Sequence, residues 1–258
     1  IFSTRSNSSA VNSDIYNIIE DENIMALPKL NTPTHQLELP STGEKIKYRP
    51  FLVKEQKLLM FAQESDDENA IAETILNIIE SCTEGEINAK MLPVFDIEYI
   101  FLQLRAKSVG ETANIKVKCP DDDSTYVDKT IKLDEIHVQM TAGHTNIVQL
   151  TDSIKMVLTY PIMSDMKGVD FNDGVSGTFN LISKCINEIH DGETIHNKVD
   201  MTDQELDEFI DTLDTQQFEN IMEFFNTMPK LRHIISVTNP KTKKKGEVVL
   251  EGLDSFLV

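Results

Sequence analysis

The sequence predicts an α+β fold in which antiparallel β-hairpins and a meander pack with several amphipathic helices. Apolar and polar residues alternate on both sides of turn residues, as in Leu37, Leu39, Ile46 and Tyr48 around Pro40–Ser41–Thr42–Gly43. Elsewhere apolar residues recur at spacings of three and four, most clearly Ile71, Ile75, Ile78, Ile79 and Cys82. Strands and helices do not alternate regularly, which argues against a doubly wound parallel sheet. No repeat of fixed period is present.

The first 24 residues begin with a Ser/Thr/Asn-rich stretch and read as a disordered or upstream extension, with at most a short helix around Asp14 to Ile24. Met25 is the expected natural start. Residues 25–162 are expected to form an N-terminal α+β domain, and residues 163–258 a C-terminal helical region with a closing β-hairpin.

The first hairpin ends at Pro50, and Val53 to Gln63 then reads as a helix with Leu58, Leu59, Phe61 and Ala62 as its apolar positions. Ser65 followed by Glu68 matches a capping box for the next helix, and Gly85 is its expected stop. Phe95 to Ala106 is a second strong helix, and its apolar residues nearly encircle it, so it should be buried. Asp96 and Glu98 at its start, and Arg105 and Lys107 at its end, suit the helix dipole. Ile115 and Val117 alternate with lysines, then Pro120 to Ser124 turns the chain into Tyr126, Val127, Ile131 and Leu133 as a second hairpin.

Short strands are expected at Asn146 to Leu150 and Lys155 to Thr159. Residues 163–178 mix Asp165, Asp170 and Asp173 with Gly168, Gly174 and Gly177, the composition of a mobile loop or boundary. Helix is expected to return through Phe179, Ile182, Cys185, Ile186 and Ile189, with Gly192 beyond its end. Thr202 and Glu205 form a further capping box opening Asp203 to Leu213, and another helix runs from Thr215 to Asn226. A strand from His233 to Thr238, the turn Asn239–Pro240–Lys241 and a strand from Glu247 to Leu250 close the chain.

Composition narrows the function. The chain carries 43 carboxylates against 24 Lys and Arg, net −19. Phosphate backbones repel such a protein, so no nucleic-acid partner is expected. No apolar run of 18 or more residues occurs, so no membrane span is expected. The first residues lack the basic start and apolar core of a signal peptide. Three dispersed cysteines, Cys82, Cys119 and Cys185, suit a reducing compartment rather than a disulfide framework.

No motif carries chemistry: there is no phosphate loop, no His-Glu-x-x-His pair and no G-x-S-x-G elbow. Asp121–Asp122–Asp123 lacks the ligand spacing of a calcium loop and reads as a solvated turn. His190 and His196 read as surface histidines near a helix end. Lys241, Lys243, Lys244 and Lys245 read as a solvated hairpin tip or a docking point for an acidic partner. No catalytic, metal or cofactor residues are assigned. The enzymatic alternative is a small hydrolase with a carboxylate-lined site in the 165–173 loop. Leu206, Phe209, Ile210 and Leu213, then Phe218, Ile221, Met222, Phe224 and Phe225, form apolar faces edged by acids. These are core packing or a partner groove, with Met228–Pro229–Lys230–Leu231 fixing the exit angle.

Four segments also resemble a known family. They are Pro40–Ser41–Thr42–Gly43–Glu44–Lys45–Ile46–Lys47–Tyr48–Arg49–Pro50–Phe51 with the helix start after it, Tyr99–Ile100–Phe101–Leu102–Gln103–Leu104–Arg105–Ala106–Lys107–Ser108–Val109–Gly110, Phe224–Phe225–Asn226–Thr227–Met228–Pro229–Lys230–Leu231, and Leu250–Glu251–Gly252–Leu253–Asp254–Ser255–Phe256. In this order they are similar to the T4-type bacteriophage baseplate protein family, which contains hub subunits and hub assembly proteins of contractile tails. The resemblance implies a hub subunit or assembly chaperone that binds other baseplate hub and tail proteins. It would act in the host cytoplasm during assembly, or in the virion tail baseplate. Arg49, Phe51, Phe224, Phe225, Met228, Pro229, Lys230 and Leu231 are the expected interface residues. The family pattern also carries further cysteines near Cys119, in the style of a zinc hairpin. This sequence has none there, so zinc is not expected.

Overall fold

A computed structural model of the protein describes residues 30–65, 67–167 and 174–256. The chain forms two units, Ile1–Thr32 and Pro33–Val258. The expectations for residues 1–24, including the helix at Asp14 to Ile24, and for a start at Met25 lie outside the described residues. All that follows concerns Pro33–Val258.

The first hairpin pairs β1 (His35–Glu38) with β2 (Lys45–Tyr48), Leu37 opposite Ile46. Its alternation buries Leu37, Leu39, Ile46 and Tyr48 and leaves the lysines in water. Two helices follow, α1 (Val53–Glu64) and α2 (Glu68–Cys82). The N-cap of α2 is Asp67, whose carboxylate accepts from Asn69 N–H at 3.0 Å. The expected Ser65–Glu68 capping box does not form. Ser65 closes α1 instead, its Oγ donating to the Ala62 carbonyl at 2.6 Å. Asp67 is the residue next to the helix, within reach of its orphan amides, and Ser65 stands two positions too early. At the far end of α2, Gly85 N–H bonds the Glu80 carbonyl at 3.0 Å, and both Glu84 (φ 56°) and Gly85 (φ 75°) are left-handed.

Helix α3 (Val94–Ser108) is the central strut. Phe95, Ile97, Ile100, Phe101, Leu102, Leu104 and Ala106 are all buried. Asp96 is also fully buried. It accepts hydrogen bonds from Ser41 N–H, at 3.1 Å, and from Ser41 Oγ, which tie the first hairpin's turn to the start of α3. Burial pushes its carboxyl up, and the two bonds from Ser41 oppose that.

A long hairpin comes next, β3 (Thr112–Cys119) and β4 (Asp122–Lys132), then β5 (His137–Gln139). β5 joins the C-terminal hairpin, β10 (Lys230–Thr238) and β11 (Lys245–Glu251), in a sheet ordered β11–β10–β5. The acidic turn is not simply solvated. Asp121 accepts from Asn239 Nδ2 at 2.9 Å and Thr242 Oγ1 at 2.5 Å, which fastens the β3–β4 tip to the β10–β11 tip. Gly246 is required at this contact, because a Cβ there would lie 2.4 Å from Pro120 Cγ. Asp123 alone of the three points freely outward, pairing with Lys118 at 2.7 Å.

The middle of the chain builds a separate sheet, ordered β6 (Ile147–Gln149), β7 (Ile154–Leu158), β8 (Ile186–Asp191) and β9 (Thr194–Asn197). Against it pack α4 (Gly174–Cys185), α5 (Asp203–Asp211) and α6 (Thr215–Thr227). The Thr202–Glu205 capping box opens α5 as expected. The helix expected through Ile189 stops at Cys185. Ile186 and Ile189 form part of a strand, pairing with Leu158 and Met156 across a register shift in β7. A spacing of three fits a helix face, but beside a bulge it also puts both side chains on one face of a sheet. Gly192 therefore makes a two-residue hairpin turn (φ 58°) rather than a helix stop. His190 and His196 sit on paired strands, and His190 Nε2 lies 2.6 Å from Glu188.

Apolar side chains gather into two cores. The larger takes residues from Leu37 to Ile136 and again from Leu231 to Phe256. The smaller takes only the continuous stretch from Val148 to Phe224. The cores meet where Pro93 bridges Ile162, Val94 N–H bonds the Pro161 carbonyl at 2.9 Å, and the Phe95 ring meets the Tyr160 edge at 5.1 Å.

Candidate functional site

The expected interface residues fall at two places. The first is the junction of β2 and α1. Arg49 Nη2 binds Glu55 Oε1 at 2.8 Å and Ser81 Oγ at 3.0 Å, and Nη1 donates to the Pro50 carbonyl at 3.0 Å. Glu55 returns its other oxygen to Leu52 N–H at 2.8 Å. Burial works against the charged carboxylate. Hydrogen bonds from Arg49, Leu52 and Ser81 outweigh it and bring the Glu55 carboxyl down to about 2. Phe51 is nearly buried, stacked on Phe101 at 6.5 Å, with its N–H donating to Ser108 Oγ. As placed, Arg49 and Phe51 clamp α1 to α2 and α3.

The second place is the passage from α6 to β10. Ile221 and Phe224 bury the inner face of α6. The Phe224 ring stacks on Tyr160 at 5.7 Å, leans on His144 at 5.2 Å and takes the Phe225 edge at 5.0 Å. Thr227 Oγ1 donates to the Glu223 carbonyl at 2.6 Å, so the His144 Nδ1–H donates to Thr227 at 2.9 Å. His144 Nε2 is then a buried acceptor that meets no partner among the described residues. Burial holds this imidazole below its ordinary pKa.

Met228 turns extended, and Pro229 is buried where it cannot continue the helix. Lys230 then pairs with Gln139 in β5, and Leu231 is fully buried in the larger core. The chain thus crosses from one core to the other between Phe224 and Leu231. Met228, Pro229, Lys230 and Leu231 line an open, mostly apolar groove of about 400 Å³ whose other walls are Val94, Phe95, Pro161 and Leu181. At its rim Lys230 Nζ lies 3.3 Å from Glu251. The structure therefore gathers the last four expected residues in one groove, sets Phe224 inside the neighbouring core and keeps Arg49 and Phe51 at a separate junction. The groove's walls on α3 and α4 were not foreseen. Phe95 and Leu181 are ordinary apolar helix positions, and nothing local marks them as facing Met228.

For the hydrolase alternative, Asp165 is occupied structurally: its Oδ2 accepts from Ile162 N–H at 3.0 Å and its carbonyl from Lys184 Nζ at 3.0 Å. Residues 168–173 of that loop lie outside the described residues. Among the described residues, no three His, Cys, Asp or Glu side chains are placed to hold a metal. No helix among them is long and apolar enough to cross a membrane. Cys82 and Cys185 are buried, and burial pushes their thiols up to about 11 and about 12, far from thiolate reactivity at neutral pH.

Fold and site together define an α+β protein with two cores and an apolar groove where the chain crosses between them. The family profile described as T4 bacteriophage base plate protein matches residues 32–258, so this chain belongs to that family. No curated protein and no solved structure matches it.

Proposed function

We propose that this protein is a hub subunit or hub assembly factor of a contractile-tail baseplate. It works by binding other hub and tail proteins, not by catalysis, in the host cytoplasm during assembly or, as a subunit, in the tail baseplate. The observation that carries the reading is the extent of the family match, residues 32–258, which takes in both cores and the crossover between them. The groove at the crossover supports it, since an apolar concavity with a charged rim suits a peptide or loop of a partner. Met228 and Lys230 contribute groove surface, while Phe224, Phe225, Pro229 and Leu231 set its position. Arg49 and Phe51 hold the opposite end of the larger core's helical layer in shape.

The test is co-expression with the tail proteins encoded beside it, followed by size exclusion with light scattering. A complex of defined mass with one of them is the expected result. Met228→Asn, in the half-buried groove wall, should weaken that complex while the free protein keeps its melting temperature. A chain that stays alone with every tail component overturns the reading.

A further inference from the structure

Every residue of strand β9, Thr194 to Asn197, is exposed, which holds for no other described strand. β9 is the outer strand of its sheet, and its turn fixes which backbone groups face outward. The residues flanking a two-residue hairpin turn exchange hydrogen bonds, and bonded and non-bonded pairs then alternate along the strands. Asp191 and Thr194 flank the turn, and Ile189 with His196 is the next bonded pair. Ile195 and Asn197, opposite His190 and Glu188, therefore turn their backbone away from β8. The Asn197 carbonyl closes the 3-10 turn Lys198–Asp200 that follows. The Ile195 N–H, the Ile195 carbonyl and the Asn197 N–H meet no partner among the described residues.

Other strand edges are closed or blunted. At β6, α6 donates Asn220 Nδ2 to the Gln149 carbonyl at 3.4 Å and Gln217 Nε2 to the adjoining Leu150 carbonyl at 3.2 Å. At β2, Lys47 N–H donates to Glu86 Oε2 at 3.0 Å, and just beyond it Arg49 N–H donates to the Cys82 carbonyl at 2.9 Å. β4 turns Lys129 toward its buried side, opposite Ile115, and an inward charge spoils further pairing. β9 has none of these devices. Thr194–Asn197 holds no Lys, Asp, Glu or Pro, and its register with β8 has no bulge. Such an edge is a template for another strand. Its two ends carry charge of one sign. Asp191 and Glu193 stand at the turn, and Asp200 and Asp203 follow the strand, all exposed and none paired with a cation among the described residues. Lys198, the one Lys or Arg between Asp191 and Asp203, gives its ammonium to the Lys184 carbonyl near the end of α4.

We propose that β9 is a docking edge, to which an extended segment of another tail protein, with Lys or Arg at its ends, adds as a fifth strand of the sheet. The proposal rests on the assembly role given above and names a surface for it that is distinct from the crossover groove. The unpaired backbone groups suit a peptide backbone laid alongside them. Ile195, 52% exposed, offers apolar contact to one of its side chains. The acids at both ends of β9 select a basic segment. A second copy of this chain is the poorer occupant. Antiparallel pairing of two β9 strands would bring Asp191 and Glu193 of one copy onto Asp200 and Asp203 of the other, and two bodies of net −19 repel.

The experiment uses the full chain and the tail protein that co-purifies with it. Hydrogen exchange with NMR detection reads the Ile195 and Asn197 amides directly, and the complex should slow both by about tenfold or more. Ile195→Pro removes an outward donor that β8 does not use, at a place where an edge strand tolerates proline. It should weaken the complex by about tenfold or more in calorimetry, while Ile195→Ala, which keeps the donor, loses less. Glu193→Lys/Asp200→Lys should weaken binding at about 0.05 M salt, with the difference shrinking at about 0.5 M. Unchanged exchange at both amides overturns the proposal, even where Ile195→Pro disturbs the free protein. Full affinity in a folded Ile195→Pro chain overturns it too, and binding that is unchanged or tighter after the charge reversal overturns the basic partner. A dimer of this chain alone that Ile195→Pro dissociates overturns it in favour of self-pairing. If no tail protein binds at all, the assembly role falls and takes this inference with it. If a complex forms while both amides still exchange freely, only the β9 edge is wrong.

Discussion

The two cores of this protein are built by opposite routes. The smaller collects a continuous stretch, Val148 to Phe224, around one sheet and three helices. The larger needs both halves of the sequence: Leu231, Ile235, Val237, Leu250 and Phe256 arrive from the C-terminus to close over Ile100, Phe101 and Leu104. A continuous core closes short loops. A discontinuous one must first meet the entropy of a closure spanning most of the chain. The smaller core is therefore expected to behave as a unit inserted into the larger. The crossover groove lies on the seam because the chain must return there to finish the larger core.

The strongest way to break this comparison is Phe101→Ala. Phe101 is fully buried in the larger core, and truncating it should cost about 3–5 kcal/mol. Hydrogen exchange should show α3, β10 and β11 losing protection, while β7 and β8 keep theirs. Equal loss in both regions would mean that the cores open as one unit.

Next in size is Arg49→Ala, which leaves the buried Glu55 with only the exposed Lys54 ammonium, 3.4 Å away, as its cation. A loss of about 2–3 kcal/mol in denaturant unfolding is expected. The clamp also has a pH signature. Glu55 has its pKa lowered in the fold, from 4.5 to about 2. Its contribution is thus fully present above about pH 4.5 and is lost as pH falls toward 2. Glu55→Gln should flatten the acid limb of the stability curve across that window.

His144 does the equivalent for the smaller core at milder pH. Burial lowers its pKa from 6.5, so the unfolded chain binds the proton more readily. Stability is full above pH 6.5 and declines as pH falls below it. His144→Phe should remove that decline, read by denaturant unfolding as a function of pH. The larger core should not respond in the same range. The smallest effect is expected from Glu84→Gly at the end of α2. Relieving a left-handed φ at a non-glycine residue should stabilise the larger core by about 0.5–1 kcal/mol, visible as a raised melting temperature.

The elements easiest to read from sequence are those whose signals are local. The first hairpin, α2, α3, α5 and α6 are each announced by alternation, by three-and-four spacing or by a cap within a few residues. Local signals mislead where two of them compete. Ser65 and Asp67 both offer an N-cap, and geometry chose the nearer. Ile186 and Ile189 fit a helix continuing from Cys185, but the open edge of β7 supplied hydrogen bonds that a longer helix would have left unpaired. Asp121 read as a solvated acid because its partners, Asn239 and Thr242, lie more than a hundred residues away. For the candidate site, Met228 to Leu231 were legible as a breaker after an apolar helix. Their opposing wall, Phe95 and Leu181, was not.

The sequence by itself determined the α+β class, most helix positions, the acidic charge and membership in the baseplate family. These depend on composition, on periodicity and on short ordered segments. Only the tertiary structure decided which apolar faces meet and which stay bare. Leu58 and Phe61 look like core residues by composition, yet they are exposed because Glu55, Leu59 and Ala62 hold α1 by another face. The physical reason is that period and propensity describe how a residue sits on its own element. Burial depends on what stands opposite, and in this chain the opposing surface is usually supplied from a distant part of the sequence.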